Sequence, residues 1–321
     1  MTVSRRALLA APLAAPAVAR AQSWPSGAIR IIVPFAAGGS TDAVARIVSP
    51  GLTQRLGVPV VVENRSGAAG SLGTGAVATA RPDGNTWLLT FDSHATLPAL
   101  LPNLPFNLTG DLDPVLLIGG APYVIAVRPD KPYRNLADIV NAAKARPDAI
   151  NYGSTGNGTL GHLTMVMLGA RAGVRMAHLP YRGGGLAVND TVAGHVEMMI
   201  GSAALVAPQI TSGNLRPVVQ FGPERLPALR DVPTAIESGF PGLEAEAWWG
   251  VFAPHGTPAP MQQRMVTALQ ESFRDERVNR TMTESQQARL VLGGPEVLRP
   301  FLDRQIALWG QVVRDNQVQA D

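Results

Sequence analysis

Short apolar runs recur along this chain, and each is followed by a glycine turn and then by apolar residues spaced three or four apart. A short apolar run bounded by turn residues marks a buried strand, and the wider spacing marks one face of a helix. Ile29 to Val33, Val58 to Glu63 and Thr86 to Phe91 read as strands, with a helix over about 41–56 and a second ending near Ala80 between them. Strands joined by helices build a parallel sheet with right-handed crossovers. From Asp92 to Pro122 the pattern loosens, interrupted by Pro98, Pro102, Pro105, Pro114 and Pro122, and a connection between lobes fits there.

Alternation then restarts. Strands are expected at Tyr123 to Val127, Ile150 to Gly153, Ala177 to Pro180, Val196 to Ile200 and Leu215 to Phe221. The helices between them run from Leu136 to Ala145 and Leu160 to Ala172, then to Ala193 and to about Ser212. A proline-rich run to Pro241 reads as the return to the first lobe, followed by the apolar Trp248 to Phe252 and amphipathic helices near 258–274 and 295–314. About 300 residues exceed one core, so two lobes are expected. The pattern predicts an α/β protein in which each lobe is a doubly wound, mostly parallel sheet. Residues 22–120 and 222–321 form one lobe, and 121–221 the other.

The first 21 residues stand apart. Arg5 and Arg6 precede an uncharged apolar run from Ala7 to Val18, and Ala19-Arg20-Ala21 offers a small-residue cleavage site. This is the form of a secretory signal peptide with a twin-arginine character, cleaved near Ala21. Charge changes the picture once the leader is removed. The chain has 27 basic and 24 acidic residues, but Arg5, Arg6 and Arg20 lie in the leader, which holds no acid. A balanced mature chain without basic runs argues against nucleic acid or a membrane surface as partner. With no cysteine and five histidines, none spaced as H-x-x-x-H, disulfides, thiolate metal sites and a helical zinc motif are excluded.

Candidate chemistry lies in the glycine turns. Pro34 to Asp42, P-F-A-A-G-G-S-T-D, passes from a strand into a helix whose first N–H groups lack partners, a natural place for an anion. Further glycine clusters fall at 67–73, 156–161 and 183–185. In open α/β sheets ligands sit beyond the carboxyl ends of the strands, so two such lobes face to face make an anion-friendly cleft. Gly156 to Gly161 fits G-x-G-x-x-G, yet the acid a dinucleotide's ribose needs is replaced by Tyr181 and Arg182, and no Asp or Glu occurs between Asp148 and Asp190. No glycine turn carries a Walker lysine, and Ser154 in Y-G-S-T-G is not a nucleophile elbow. A hydrolase with His94 or His162 as base is the rival reading. Asp42, in the first turn of the proposed anion-binding helix, has two open roles: favourable interaction with the helix dipole, or contact with a ligand amine, hydroxyl or water.

Several separated stretches together resemble the periplasmic receptors of tripartite tricarboxylate transporters, often called Bug receptors. They are residues 34–42, V-E-N-R-S-G-A-A-G at 62–70, N-Y-G-S-T-G-N-G-T-L-G-H-L at 151–163 and H-L-P-Y-R-G-G at 178–184. D-V-P-T-A-I-E-S-G at 231–239 and W-W-G-V-F-A-P at 248–254 extend the resemblance over nearly all of the mature chain. It implies a type II, Venus flytrap fold in the periplasm, a monomer without catalysis or cofactor. Its partners would be a small carboxylate (di- or tricarboxylate, amino acid or aromatic acid) and the transporter's membrane subunits. A sensing co-receptor for a membrane signalling system is the alternative within the same chemistry. The matched positions are Phe35, Ala37, Gly38, Gly39, Ser40 and Asp42 on one wall and Ser154, Thr155, Gly156 and Asn157 on the other, with His94, Tyr181 and His162 at family-like positions. Leu97 and Gly201 depart from the family's usual asparagine and aspartate and bear on the far part of the pocket.

Overall fold

In the computed structural model of the chain, residues 24–319 are described, and the expected signal peptide, with its cleavage site near Ala21, lies outside them. The strands are β1 (Ile29–Val33), β2 (Val60–Asn64), β3 (Thr86–Phe91), β4 (Leu112–Val127), β5 (Asn151–Ser154), β6 (Ala177–Pro180), β7 (Met198–Ser202), β8 (Arg216–Gln220), β9 (Glu246–Pro254) and β10 (Arg289–Gly293). The helices are α1 (Ser40–Leu56), α2 (Ser71–Ala78), α3 (Leu97–Leu100), α4 (Leu136–Ala145), α5 (Leu160–Ala172), α6 (Gly184–Ala193), α7 (Ala203–Thr211), α8 (Ala259–Arg274), α9 (Glu276–Arg280) and α10 (Pro295–Asp315). Helix α1 shows how the pattern becomes structure. Its residues Val44, Ala45, Val48, Leu52 and Leu56 recur on one face and are buried, and Gly57, left-handed at φ 73°, ends it.

The sheet order is β2-β1-β3-β9-β4-β7-β5-β6, with β8 and β10 also pairing with β4. Pairing is parallel among β1, β2 and β3, and again among β5, β6 and β7. Antiparallel ladders run where β9 meets β3 and where β4 meets β7, β8, β9 and β10, so the sheet as a whole is mixed. Strand β4 joins the two halves: Leu112 to Pro122 pair with β9, and Tyr123 to Val127 with β7.

That strand corrects the expected connection between Asp92 and Pro122. Proline has no N–H to give a ladder and glycine reads as a breaker, yet here both sit at faults in register. The β4–β9 register shifts between Pro114 and Leu116 and again between Leu117 and Gly119. Gly119 has φ 151°, and a Cβ on it would lie 2.1 Å from the Arg289 carbonyl oxygen, so β10 passes too close for any side chain. Neither β10 nor α9 was expected from the pattern.

Two large clusters make up most of the core. One gathers Ile31, Val48, Leu52, Trp87, Trp249 and Phe273 around β1, β3 and β9, and continues through Val124, Ala187, Met199 and Ala203 into the second half. The other gathers Ile125, Ile139, Tyr152, Leu163 and Ile200. Ala235, Leu243 and Trp309 join this second core, so the 222–245 segment and the end of α10 pack against β4 to β8.

Candidate functional site

Register alone shows that the loops of the two halves face one another. Phe91, the last residue of β3, lies beside Trp249, which lies beside Gly119 of β4. Ser202, the last residue of β7, lies beside Tyr123, four residues further along β4. Strands β1 to β3 therefore run toward this level from one side and β5 to β7 from the other. The loops after them meet across a cleft, the place where α/β sheets take ligands.

The first wall is the turn between β1 and α1. Phe35 is half-buried and meets Phe91 edge-on at 6.3 Å, while Ala37 and Gly38 are exposed. Gly38 has φ 85° and donates its N–H to Asp42 Oδ2 at 3.0 Å. Gly39 is extended, and its carbonyl accepts from Ala43 N–H, which opens the helix. Ser40 begins α1 half-buried, and no side chain caps this end. Asp42 is 4% exposed and also accepts from Arg46 Nε and Asn64 Nδ2, each at 3.0 Å. Burial raises its pKa, but the bonds from Arg46, Gly38 and Asn64 outweigh burial and hold it below the usual carboxylate value. Ionised and partnered, Asp42 latches the glycine turn from beneath. Beside this wall, Ala68 and Ala69 at φ 45° and 54° keep a left-handed backbone unusual for alanine.

The second wall is the turn between β5 and α5. Ser154 is fully buried, and its Oγ lies 2.7 Å from His178 Nε2 while accepting from Gly156 N–H at 3.2 Å. Thr155, Gly156 and Asn157 are half-buried, with Gly156 at φ 132°. Gly158 donates its N–H to His162 Nδ1 at 3.1 Å. The turn abuts the first half, since a Cβ on Gly158 would lie 2.2 Å from Leu100 Cδ1 of α3.

Two further expected site residues, His94 and Tyr181, differ in their surroundings: His94 is buried, and Tyr181 lies beside the second turn, its N–H donating to the Ser154 carbonyl at 3.1 Å. His94 is 1% exposed, its ring 4.6 Å from that of Phe252 and tilted 36° to it, with neither ring nitrogen partnered among the described residues. Burial pushes its pKa down to about 3. Tyr181 donates its hydroxyl to Asp190 at 2.7 Å, and burial followed by that bond pushes its pKa up to about 12. Its ring covers Gly153, where a Cβ would lie 3.1 Å from Tyr181 Cε2.

Other residues at the junction carried no sequence signal. Asp92, 1% exposed, accepts from the Tyr123 hydroxyl at 2.8 Å, and the backbone of Gly161 bonds the same phenol. Burial pushes Asp92 up to about 8, more than Tyr123 and the Ser93 backbone lower it. Helix ends are equally telling. Helices α1, α2, α5, α6 and α7 all follow carboxyl ends of parallel strands, and none is capped by a side chain. By contrast α4 carries a full capping box from Asn135 and Asp138.

An α/β protein of two halves, with the carboxyl ends of both sets of parallel strands opening on one cleft, has the fold of a periplasmic solute-binding protein. The chain belongs to the tripartite tricarboxylate transporter family receptors, whose pattern it matches over residues 44–317. It is 34% identical over 297 residues to protein BugT of Bordetella pertussis, an alignment covering 92% of this chain and 91% of BugT. Two solved structures are similar throughout. Rpa4515 of R. palustris with adipate gives a TM-score of 0.87 at 28% identity, covering 93% of this chain and 100% of that one. MatC from Rhodopseudomonas palustris with bound malate gives 0.84 at 31%, covering 90% and 100%. The family is one of receptors, not of enzymes.

Proposed function

We propose that this protein is exported, loses its leader near Ala21, and captures a small carboxylate in the cleft for the membrane subunits of a tripartite transporter, as a monomer and without catalysis. The observation that carries the reading is the pair of opposed helix N-termini, α1 and α5, neither capped by a side chain. Their first N–H groups and the positive ends of their dipoles suit a carboxylate. Acidic groups nearby do not oppose it, since Asp42 is neutralised by Arg46 and burial favours the neutral form of Asp92. Adipate in Rpa4515 and malate in MatC support the same ligand class.

Phe35, Ala37, Gly38, Gly39 and Ser40 form one jaw and Ser154, Thr155, Gly156 and Asn157 the other, with Tyr181 beside them. The lobes divide within β4 between Pro122 and Tyr123, and closure turns about this point. At the far end of the pocket Leu97 is buried with Phe106 and Leu108, and the space a Gly201 side chain would take lies 3.0 Å from Leu205 Cδ2. Neither position offers a polar group to the ligand's far end. The pairing of Ser154 with His178 fits a braced turn better than a nucleophile, because the serine is fully buried.

A thermal-shift panel tests the proposal, since only the folded protein has the cleft. A ligand at a hundred times its Kd stabilises by about 2.7 kcal/mol. Some among the mono-, di- and tricarboxylates, amino acids and aromatic acids are expected to raise the melting temperature. Shifts with neutral sugars or cations, and none with any acid, would contradict it.

A further inference from the structure

We infer that His162 and His178 are positioning residues for the second jaw: stacked face to face, the two imidazoles hold the opposite ends of the 154–158 turn in the shape that receives a carboxylate. The inference rests on that turn being a ligand wall. Its geometry does not. The rings are 3.9 Å apart and 8° from parallel, and Tyr152 covers the other face of His178 at 5.0 Å and 22°. From this stack His178 Nε2 reaches Ser154 Oγ at 2.7 Å, at the start of the turn, and His162 Nδ1 accepts from Gly158 N–H at 3.1 Å, at its end.

A turn that needs such braces is a flexible one. Gly156 at φ 132° and Gly158 at φ 68° give its backbone freedom that the N–H donors of a binding site must not keep. The two braces come from different elements, β6 and α5, so the stack also fixes the turn to both neighbours at once. Hydrogen bonding sets the chemical state of one ring. An Nδ1 that accepts carries no proton, so His162 is neutral with its hydrogen on Nε2. Solvent reaches the stack from the side through a 510 Å³ pocket lined by Tyr152, His162, His178, Met165, Met176 and Arg175, so the rings are not sealed in the core.

Asparagine places an oxygen near the position of histidine Nδ1, glutamine places a polar group near that of Nε2, and phenylalanine keeps only the ring. His162→Phe is therefore expected to speed hydrogen exchange of the Gly158 amide by about tenfold or more, the loss of one hydrogen bond, while His162→Asn leaves it near the wild-type rate. His178→Phe and His178→Gln should differ in the same sense at Gly156, whose amide bonds Ser154. Affinity for malate and adipate, whichever binds, should follow the exchange rates. Unchanged Gly158 exchange in His162→Phe, or equal damage from His162→Asn, would overturn the inference.

Nitrogen NMR of the unsubstituted protein gives a check that no folding defect can obscure. The hydrogen of His162 is expected on Nε2, and finding it on Nδ1 would overturn the inference as well. If exchange and tautomer behave as expected while Gly39→Val and Ser154→Val leave binding intact, the ligand-wall reading fails and the brace stands.

Discussion

At Asp42 three donors converge on one carboxylate that is 4% exposed. Arg46 is more than half exposed, so solvent screens part of its contribution, and the bonds from Gly38 and Asn64 add to it. Asp42→Ala is expected to cost about 2 kcal/mol, the range for buried hydrogen bonds to a charged group, and to weaken carboxylate binding by releasing the Gly38 turn. Melting curves and titration of the variant check both. An unchanged affinity would show that the turn needs no latch. The motif P-F-A-A-G-G-S-T-D revealed the turn and its helix, but not this role. Nothing local distinguishes an acid that faces a ligand from one that accepts from Asn64, which is distant in sequence. His178 was hidden for the same reason, since its partner Ser154 lies on a neighbouring strand.

At the level of elements, the 3-10 turn Asp92–Ala95 after β3 carries two groups that titrate in opposite senses. Asp92 rises from an ordinary 3.8 to about 8, so across that window the folded state keeps a proton the unfolded state has lost. Its contribution to stability is full below about pH 3.8, declines as pH rises, and is gone above about 8. His94 falls from 6.5 to about 3, so its contribution is full above about pH 6.5 and is lost as pH falls toward 3. His178 follows the same course, driven down by burial and then by His162. Asp92→Asn is therefore expected to gain melting temperature on the parent protein between about pH 5 and 8, and His94→Leu to gain on it between about pH 6 and 4. A gap that stays constant with pH would contradict either assignment. Most elements were legible from apolar spacing, including β1, β3, α5 and α10. The first part of strand β4, Leu112 to Pro122, was not, because Pro114 and Gly119 carry the marks of a loop while bulges accommodate both.

For the whole molecule, the two-lobed α/β plan followed from alternation and length, but the crossing of β4 and β9 between the halves depends on long-range pairing that no local pattern encodes. The crossing brings the loops of both halves to one level, and there the proposed jaws meet. Capture of a carboxylate between them is the central claim, and titration calorimetry of three proteins tests it most directly: the parent, Gly39→Val and Ser154→Val, each with the carboxylate that most stabilises the parent. Gly39 is extended, and a Cβ there meets only the Ala36 carbonyl oxygen, at 3.6 Å, so the valine variant should fold. Binding to the parent, and loss of about a hundredfold or more in each variant with the fold retained, about 2.7 kcal/mol at each jaw, is the expected result. Equal affinity in all three proteins would place the ligand elsewhere and contradict the account.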